Sequence, residues 1–497
     1  MITISIKENI KRWWKGLTGA ENMQELTKLE KEILAFKSSL RRQEMIAGER
    51  YYEGYHEIMR RERTMIGKDG AVIPLKNLPN NKIIDNQYAK AVDQKTNYIL
   101  GKPLTFNSKD ETYLNNIKSI FNKRFHKTMR NICKNSFNCG IAYLYVYYEN
   151  DTLKFKRFKG SEIIPHWRDS EHTELESFIR IYTTIVIESG MEKTLEKAEY
   201  YTKEGVRTYV VNSDKLIFEA DHQYNLITEY EMDNEIPVSE MAMTWDRIPL
   251  IPFKYNDNEL PLIRRVKTLQ DGINAILSDF TNNMQEDSRN TILVIKNYDG
   301  QDLGEFRHNL ANFGAVKVRS TENGDGGIDT LTIEVNSENY KVILDIFKKA
   351  LIENARSFDA KDDRMGGNPN QMNIQSMYSD IDLDANEIET EFQAAFEDLL
   401  WFVNQYLAYK KLPVLSENET LEVIFNRDIL VNEAQTIENI KNSVGIISNK
   451  TLVANHPLVT DVKEELEQIK AEQAEEQAQF ADYNNAFNKN VGVGNEE

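Results

Sequence analysis

Between Pro261 and Tyr409, apolar residues recur at the spacing of one helical face in three long stretches, separated first by a β-prone insert and then by a polar loop. In the first stretch Leu262, Val266, Leu269, Ile273, Ile276 and Phe280 stand alternately four and three residues apart, which puts them on a single helical stripe. Pro261 suits the first helical position, where its missing N–H costs nothing, so a helix is predicted over 261–287. The second stretch, 337–358, is about 33 Å long at the helical rise. It carries Tyr340, Ile343, Phe347, Leu351 and Ala355 on one side and Lys341, Asp345, Lys348, Lys349, Glu353 and Arg356 on the other. The third, beginning near 374, is the most regular, with Ile381, Ala385, Ile388, Phe392, Ala395, Leu399, Phe402 and Tyr406 on one stripe. Stripes of this length must be covered along their whole face, by the chain's own core or by a neighbouring copy, and periodicity does not separate the two. On the second reading Leu269, Ile273, Ile388 and Phe392 are subunit-interface residues.

The insert from Thr291 to Val335 contains three short β-prone runs, TILVIK, AVKVR and TLTIEV, the last reached through the turn sequence ENGDGG. It predicts a small β-rich tip carried on two antiparallel helices. After the second helix, DAKDDRMGGNPNQMN (359–373) is too polar and too rich in Gly, Asn and Pro to hold a helix. Upstream, Leu26, Leu29, Ile33, Phe36 and Leu40 give 21–60 a charged helical pattern, and GKDGAVIPLKNLPNNK reads as an exposed loop. One helix or a pair follows from Ile84 to about Asn138. The period then becomes strand-like from 141 to 230: IAYLYVYY and LKFKRF join across Glu149 to Asp151, and AEYYTKEGVRTYVV turns at Glu204 and Gly205, both as antiparallel hairpins. Prolines 237, 249, 252 and 261 mark the junction into the long helix, and a last helical pattern spans 432–483.

Composition then narrows the class to α+β with a sizeable core. A chain of 497 residues with 40% hydrophobic and 10% aromatic residues has room for about two to four domains. A net charge of −18 argues against a general nucleic-acid binder, because neutralising phosphates needs a basic surface. It leaves open a protein that lets DNA pass without gripping it. Cys133 and Cys139 have neither zinc-knuckle nor redox-pair spacing, and read as free thiols in a reducing compartment. No apolar run has signal-peptide or membrane-span length, so no membrane association is expected.

Signals for chemistry are weak. There is no G-x-x-x-x-G-K-[ST] phosphate loop. GDGGID at 324–329 lacks the alternating acidic ligands and the bidentate Glu of a calcium loop, and a β-turn explains it better. DAKDD at 359–363 lacks the surroundings of a metal nuclease, and His166 and His172 have no ligand partners at suitable spacing. These absences predict a protein that is not an enzyme and holds no metal or cofactor.

Four segments carry a resemblance. NNKIIDNQYAKAVDQKTNYILGKPLTF (81–107), IPLIPFKYNDNEL (248–260), GGNPNQMNIQSMYSDIDLDANEIETEF (366–392) and FNRDILVNEAQTIENIKNSVGIISNKTLVANHPLVTDVKEELEQI (425–469) resemble, in order, the portal proteins of tailed bacteriophages. They resemble especially the branch found in long-tailed phages of Gram-positive bacteria, and the likeness spans about residues 45–470. No single segment is diagnostic; their colinear order is what carries the likeness.

The resemblance implies a ring, commonly of twelve subunits, around an axial channel for double-stranded DNA at one capsid vertex. It implies a wing of helices and hairpins within 1–260, stem helices at 261–287 and 337–358, a clip at 288–336 and a tunnel loop at 359–373. A long kinked wing helix with a following strand (374–431) and a crown with its tail (432–497) complete the set. The implied partners are the terminase, major capsid and scaffolding proteins and a head-tail adaptor. The implied roles are nucleating capsid assembly, docking the packaging motor, head-tail connection and DNA ejection, in a particle assembled in host cytoplasm. In the tunnel loop Lys361, Arg364, Met365, Asn368, Asn370 and Gln371 would touch DNA. Lys341, Lys348 and Lys349 would either ring the bore or pair with Asp345 and Glu353 on an outer face. The alternative from a different class is a nucleic-acid-processing or DNA-binding regulatory protein acting through the same basic loop residues.

Overall fold

A computed structural model describes residues 2–5, 20–66, 70–74, 78–149, 152–188, 191–222, 227–233, 236–286, 291–296, 302, 304, 327–332, 337–359, 371–415, 420–427, 433–459, 462, 465–475 and 477–478. It divides into two compact units, 1–357 with 383–427, and 358–382 with 428–497.

The first unit opens with α1 (Ala20–Ser38) and α2 (Leu40–Tyr52). The chain breaks between them at Ser39, whose extended backbone ends one helix while its hydroxyl accepts from the Arg42 amide to cap the next. Leu29 and Ile33 of α1 are buried against Ile179, Ile181, Ala198, Tyr209 and Leu216 of a five-stranded sheet. That leaves Leu40, counted in the same helical pattern, exposed on the far side of the break.

The segment expected as one helix or two is three: α3 (Gln87–Leu100), α4 (Glu111–Ile120) and α5 (Lys123–Cys139). Asn86, Asp110 and Asn122 each cap the helix that follows, and the Gly-Lys-Pro at 101–103 ends α3 before a short strand, Thr105–Asn107. α5 closes on Gly140 in the left-handed region at φ 80°, where a Cβ would stand 2.0 Å from the Glu259 carbonyl oxygen.

The hairpin expected at 141–159 is present, with Ile141–Glu149 paired to Thr152–Lys159 and, on its other edge, to Leu250–Lys254. The five-stranded antiparallel sheet runs in the order Lys215–His222, Gly205–Asn212, Met191–Thr202, Leu175–Glu188, Ile163–Trp167. A third sheet joins Ile2–Ser5, Ile236–Thr244 and Ile227–Asp233.

Three long helices follow: α6 (Ile263–Glu286), α7 (Ser337–Asn354) and α8 (Gln371–Tyr409), the last a single helix of 39 residues. Ile381, Ala385, Ile388, Phe392, Ala395, Leu399 and Phe402 of α8 are all buried by this one chain. Phe392 and Phe396 sit in an aromatic cluster with Phe106, Phe121, Phe125, Phe253 and Phe425, ring centroids 5.0 to 6.5 Å apart. Edge-to-face packing of this kind adds to the area term and anchors the helix. The second unit contains α9 (Glu433–Asn442), α10 (Asn449–Ala454) and helical residues 465–475.

Candidate functional site

α6 and α7 run antiparallel. Residue numbers fall on α7 as they rise on α6: the Phe347 ring lies over Gly272, whose Cβ would be 2.6 Å from it, and Tyr340 packs on Phe280 at 5.1 Å. Asn283 donates to the Tyr340 hydroxyl at 3.0 Å. Beyond the far ends of this pair, Thr291–Lys296 and Gly327–Thr332 form an antiparallel hairpin starting from Thr291 opposite Thr332. The first β run is where the sequence places it. Of the last run, Thr330–Thr332 are paired, continuing from Gly327, while 333–335 and AVKVR lie outside the described residues.

The other face of α6 is polar and buried. Gln270, Asn274, Ser278 and Asn282 follow one another at four-residue intervals, and all are inaccessible. They hold the backbone of residues 81–88, a strap that leads into the first turn of α3. The Asn81 amide donates to Asn282 Oδ1 (2.7 Å), Ile83 to Ser278 Oγ (2.9 Å), Asp85 to Asn274 Oδ1 (3.0 Å) and Tyr88 to Gln270 Oε1 (2.9 Å). From Asn81 to Asp85 the fit is geometric: two residues of extended chain advance about 6.6 Å and four residues of helix about 6.0 Å; the last step, to Tyr88, takes three residues because α3 has begun. Four amides facing α6, that of Tyr88 buried and the others partly so, find partners there, the condition under which burying polar groups is tolerated. Lys348 of α7 reaches the same strap through Asp85 at 2.7 Å.

His56 closes this ladder. Asn274 Oδ1 accepts from the Asp85 amide and from Gln270 Nε2, so its Nδ2 must face His56 Nδ1, 2.8 Å away. His56 is therefore neutral, accepting on Nδ1 and donating from Nε2 to the Tyr51 carbonyl at 3.1 Å. Burial holds its pKa below the ordinary 6.5. Because the unfolded chain takes up this proton more readily than the folded one, stability is full above about pH 6.5 and declines as pH falls through that value. We expect the stability of wild type to fall more steeply than that of His56→Gln between pH 7.5 and 5.5 in denaturant melts. Parallel pH profiles would contradict this.

A second buried feature sits where the chain leaves the first unit and returns to it. α7 ends in a Schellman-type turn, with Ser357 N–H donating to the Ile352 carbonyl and Arg356 N–H to that of Glu353. Arg356 takes the left-handed position at φ 48°, which usually belongs to glycine. It is held there at both ends: its carbonyl accepts from Lys95 Nζ at 3.0 Å, and its guanidinium lies 3.4 Å from Asp384 and from Glu387. Asp384, on α8, is inaccessible and also takes Lys95 Nζ at 2.6 Å, the Tyr255 hydroxyl at 3.1 Å and Arg265 at 3.5 Å. Burial pushes the Lys95 ammonium below its ordinary pKa, with Asp384 pulling the other way. One carboxylate of α8 thus ties together α3, α6 and the end of α7.

The sequence-derived residues distribute unevenly over this framework. Lys361, Arg364, Met365, Asn368 and Asn370 lie outside the described residues, and Gln371 is the first residue of α8. Lys341 and Lys349 are exposed, whereas Lys348 pairs with Asp85 instead of with Asp345 or Glu353. Ile273, Ile388 and Phe392, taken as interface residues on one reading of the stripes, are inaccessible within a single chain, and only Leu269 keeps part of its surface. Those three side chains are covered within one chain, Phe392 by Phe253 and Phe425 of the aromatic cluster. Exposed apolar surface lies instead on α7 at Val342, Ile343 and Ile346.

The polar ladder and Asp384 were not recognised from the sequence. The first has a readable signal, four uncharged polar residues at constant helical spacing; the second is an acid between Ile381 and Ala385 on an apolar stripe.

Comparison with known proteins gives the framework its context. Residues 34–479 match the family described as phage portal protein, SPP1 Gp6-like. The chain is 28% identical over 433 residues to the portal protein of Bacillus phage SPP1, covering 86% of this chain and 83% of that one. It is 26% identical over 475 residues to the portal protein of Clostridium phage phiCD119, covering 93% and 99%. With most of its length matched, and with both relatives from phages of Gram-positive hosts, this chain belongs to the SPP1 Gp6-like family of phage portal proteins.

Proposed function

We propose that this chain forms a closed ring, of about twelve copies, whose axis is the DNA channel at one capsid vertex. The observation that carries the reading is the match of residues 34–479 to the portal family; as a member, the chain is a structural component of the virion and not an enzyme. The regulatory DNA-binding alternative has no such support. In this reading α6 and α7 form the stem, and the hairpin of 291–296 and 327–332 is the base of a clip that meets the terminase and later the head-tail adaptor. The antiparallel packing of Phe347 on Gly272 and Tyr340 on Phe280 supports it, because it sends both helices toward the same hairpin. Residues 432–497 form the crown, and capsid and scaffolding proteins meet the wing.

Residues 359–373 form the loop that touches passing DNA. The chain enters this segment just after Arg356, whose backbone and side chain are both held, which supports a fixed point of departure for the loop. Lys361 and Arg364 make loose phosphate contacts, with Met365, Asn368, Asn370 and Gln371 beside them, and Lys341 and Lys349 add basic positions on the stem. Neighbouring copies meet at the exposed Val342, Ile343 and Ile346 of α7 and at the part of Leu269 left open.

The test is a double substitution, Lys361→Glu with Arg364→Glu, in an infectious phage background. Rings should assemble normally while the DNA retained per head falls. Full-length packaging with normal retention would show that the loop's charges play no part in transport.

A further inference from the structure

The chain carries 79 Asp and Glu among 497 residues, yet from Thr112 to Tyr148 there is none, where that average would place about six. The same stretch holds Lys118, Lys123, Arg124, Lys127, Arg130 and Lys134. Two of these are engaged: Arg130 donates to Asn97, and Lys134 pairs with Asp93 at 2.8 Å. Lys118, in the last turn of α4, and Lys123, Arg124 and Lys127, in the first two turns of α5, are exposed and have no acidic partner among the described residues.

Stability does not account for this arrangement. Lys123 and Lys127 stand four apart on one helical face, where like charges repel. Lys123 and Arg124 also occupy the first turn of α5, whose dipole disfavours cations. In a chain of net charge −18, four uncompensated cations on consecutive helical turns are a local reversal of sign.

We propose that the α4–α5 face binds the phosphate backbone of double-stranded DNA, at a site separate from the channel loop. The choice of DNA over an acidic protein follows from what the face lacks. No large exposed hydrophobic residue lies between Ile73 and Ile185 among the described residues, so there is no apolar anchor of the kind that protein interfaces use at their centre. What it offers is cations flanked by the exposed polar Asn115 and Ser119, the chemistry of sequence-independent backbone contact.

The test measures binding of the full chain to a covalently closed circular duplex as a function of salt. A closed circle cannot thread a preformed ring, so this result stands apart from the channel reading, whose own test is DNA retained per head. Wild type is compared with a variant carrying Lys118→Gln, Lys123→Gln, Arg124→Gln and Lys127→Gln, and with the milder pair Arg124→Gln and Lys127→Gln. Each lost phosphate contact reduces the slope of log affinity against log salt by about 0.9, so the quadruple variant should lose between 3 and 4, and the pair about half of that. Between 50 and 200 mM salt, wild type should therefore weaken by about a hundredfold more than the quadruple variant. Unchanged slopes in folded variants would overturn the proposal. So would tighter binding of charge-matched polyglutamate than of the duplex, which would point to an acidic protein partner.

Discussion

Replacing Asp384 by alanine should destabilise the protein by about 3–5 kcal/mol, the usual cost of removing one partner from a buried charge pair. Lys95 would be left inaccessible with no counter-charge, and Arg265, Arg356 and the Tyr255 hydroxyl would lose their shared acceptor. The larger consequence is conformational. Arg356 keeps its left-handed backbone because its side chain and carbonyl are both held, and strain of this kind persists only where surroundings enforce it. Urea melts read the stability, and amide exchange at 351–357 reads the loosened turn. Pairing Asp384→Leu with Lys95→Met removes both charges together and should recover most of the loss. Wild-type stability in Asp384→Ala would mean that the cluster has no structural role.

The second large effect concerns assembly. Val342→Asp with Ile346→Asp places two charges on an apolar patch that one chain leaves exposed, 51% for Val342 and 57% for Ile346. The isolated subunit should fold with an unchanged melting curve, while rings fail to form, because two carboxylates would have to be desolvated at each of the repeated contacts. Charges at Ile388 or Phe392 would be a poorer experiment. Both side chains are inaccessible within the subunit, so their replacement would unfold it before assembly was tested. Rings of unchanged size and stability in the Val342 and Ile346 double variant would place the seam elsewhere.

The helices that position the site were legible because each has a long apolar stripe, and a stripe fixes helix and face together. The order of α6, hairpin and α7 followed from turn residues and β-prone runs on either side of them. What covers a stripe was not legible: Ile388 and Phe392 look the same in sequence whether a sheet or a neighbouring copy packs on them, since periodicity records the need for burial and not its source. Sequence patterning reads amphipathic helices as apolar on one side and solvated on the other, so the polar ladder of Gln270, Asn274, Ser278 and Asn282 was invisible to it. Those residues are buried because the strap brings its own amides to them, and a helix facing extended chain leaves no hydrophobic mark. Asp384 escaped for a similar reason, its three cations coming from helices far apart in sequence.

The mass of the assembled protein in solution tests most directly whether the chain closes into a ring with an axial channel. A chain of 57.7 kDa in a ring of about twelve copies has a mass of about 690 kDa, in one discrete species that does not shift with dilution. That is the result expected. A monomer of 57.7 kDa that stays monomeric at high concentration and in the presence of scaffolding protein would contradict it.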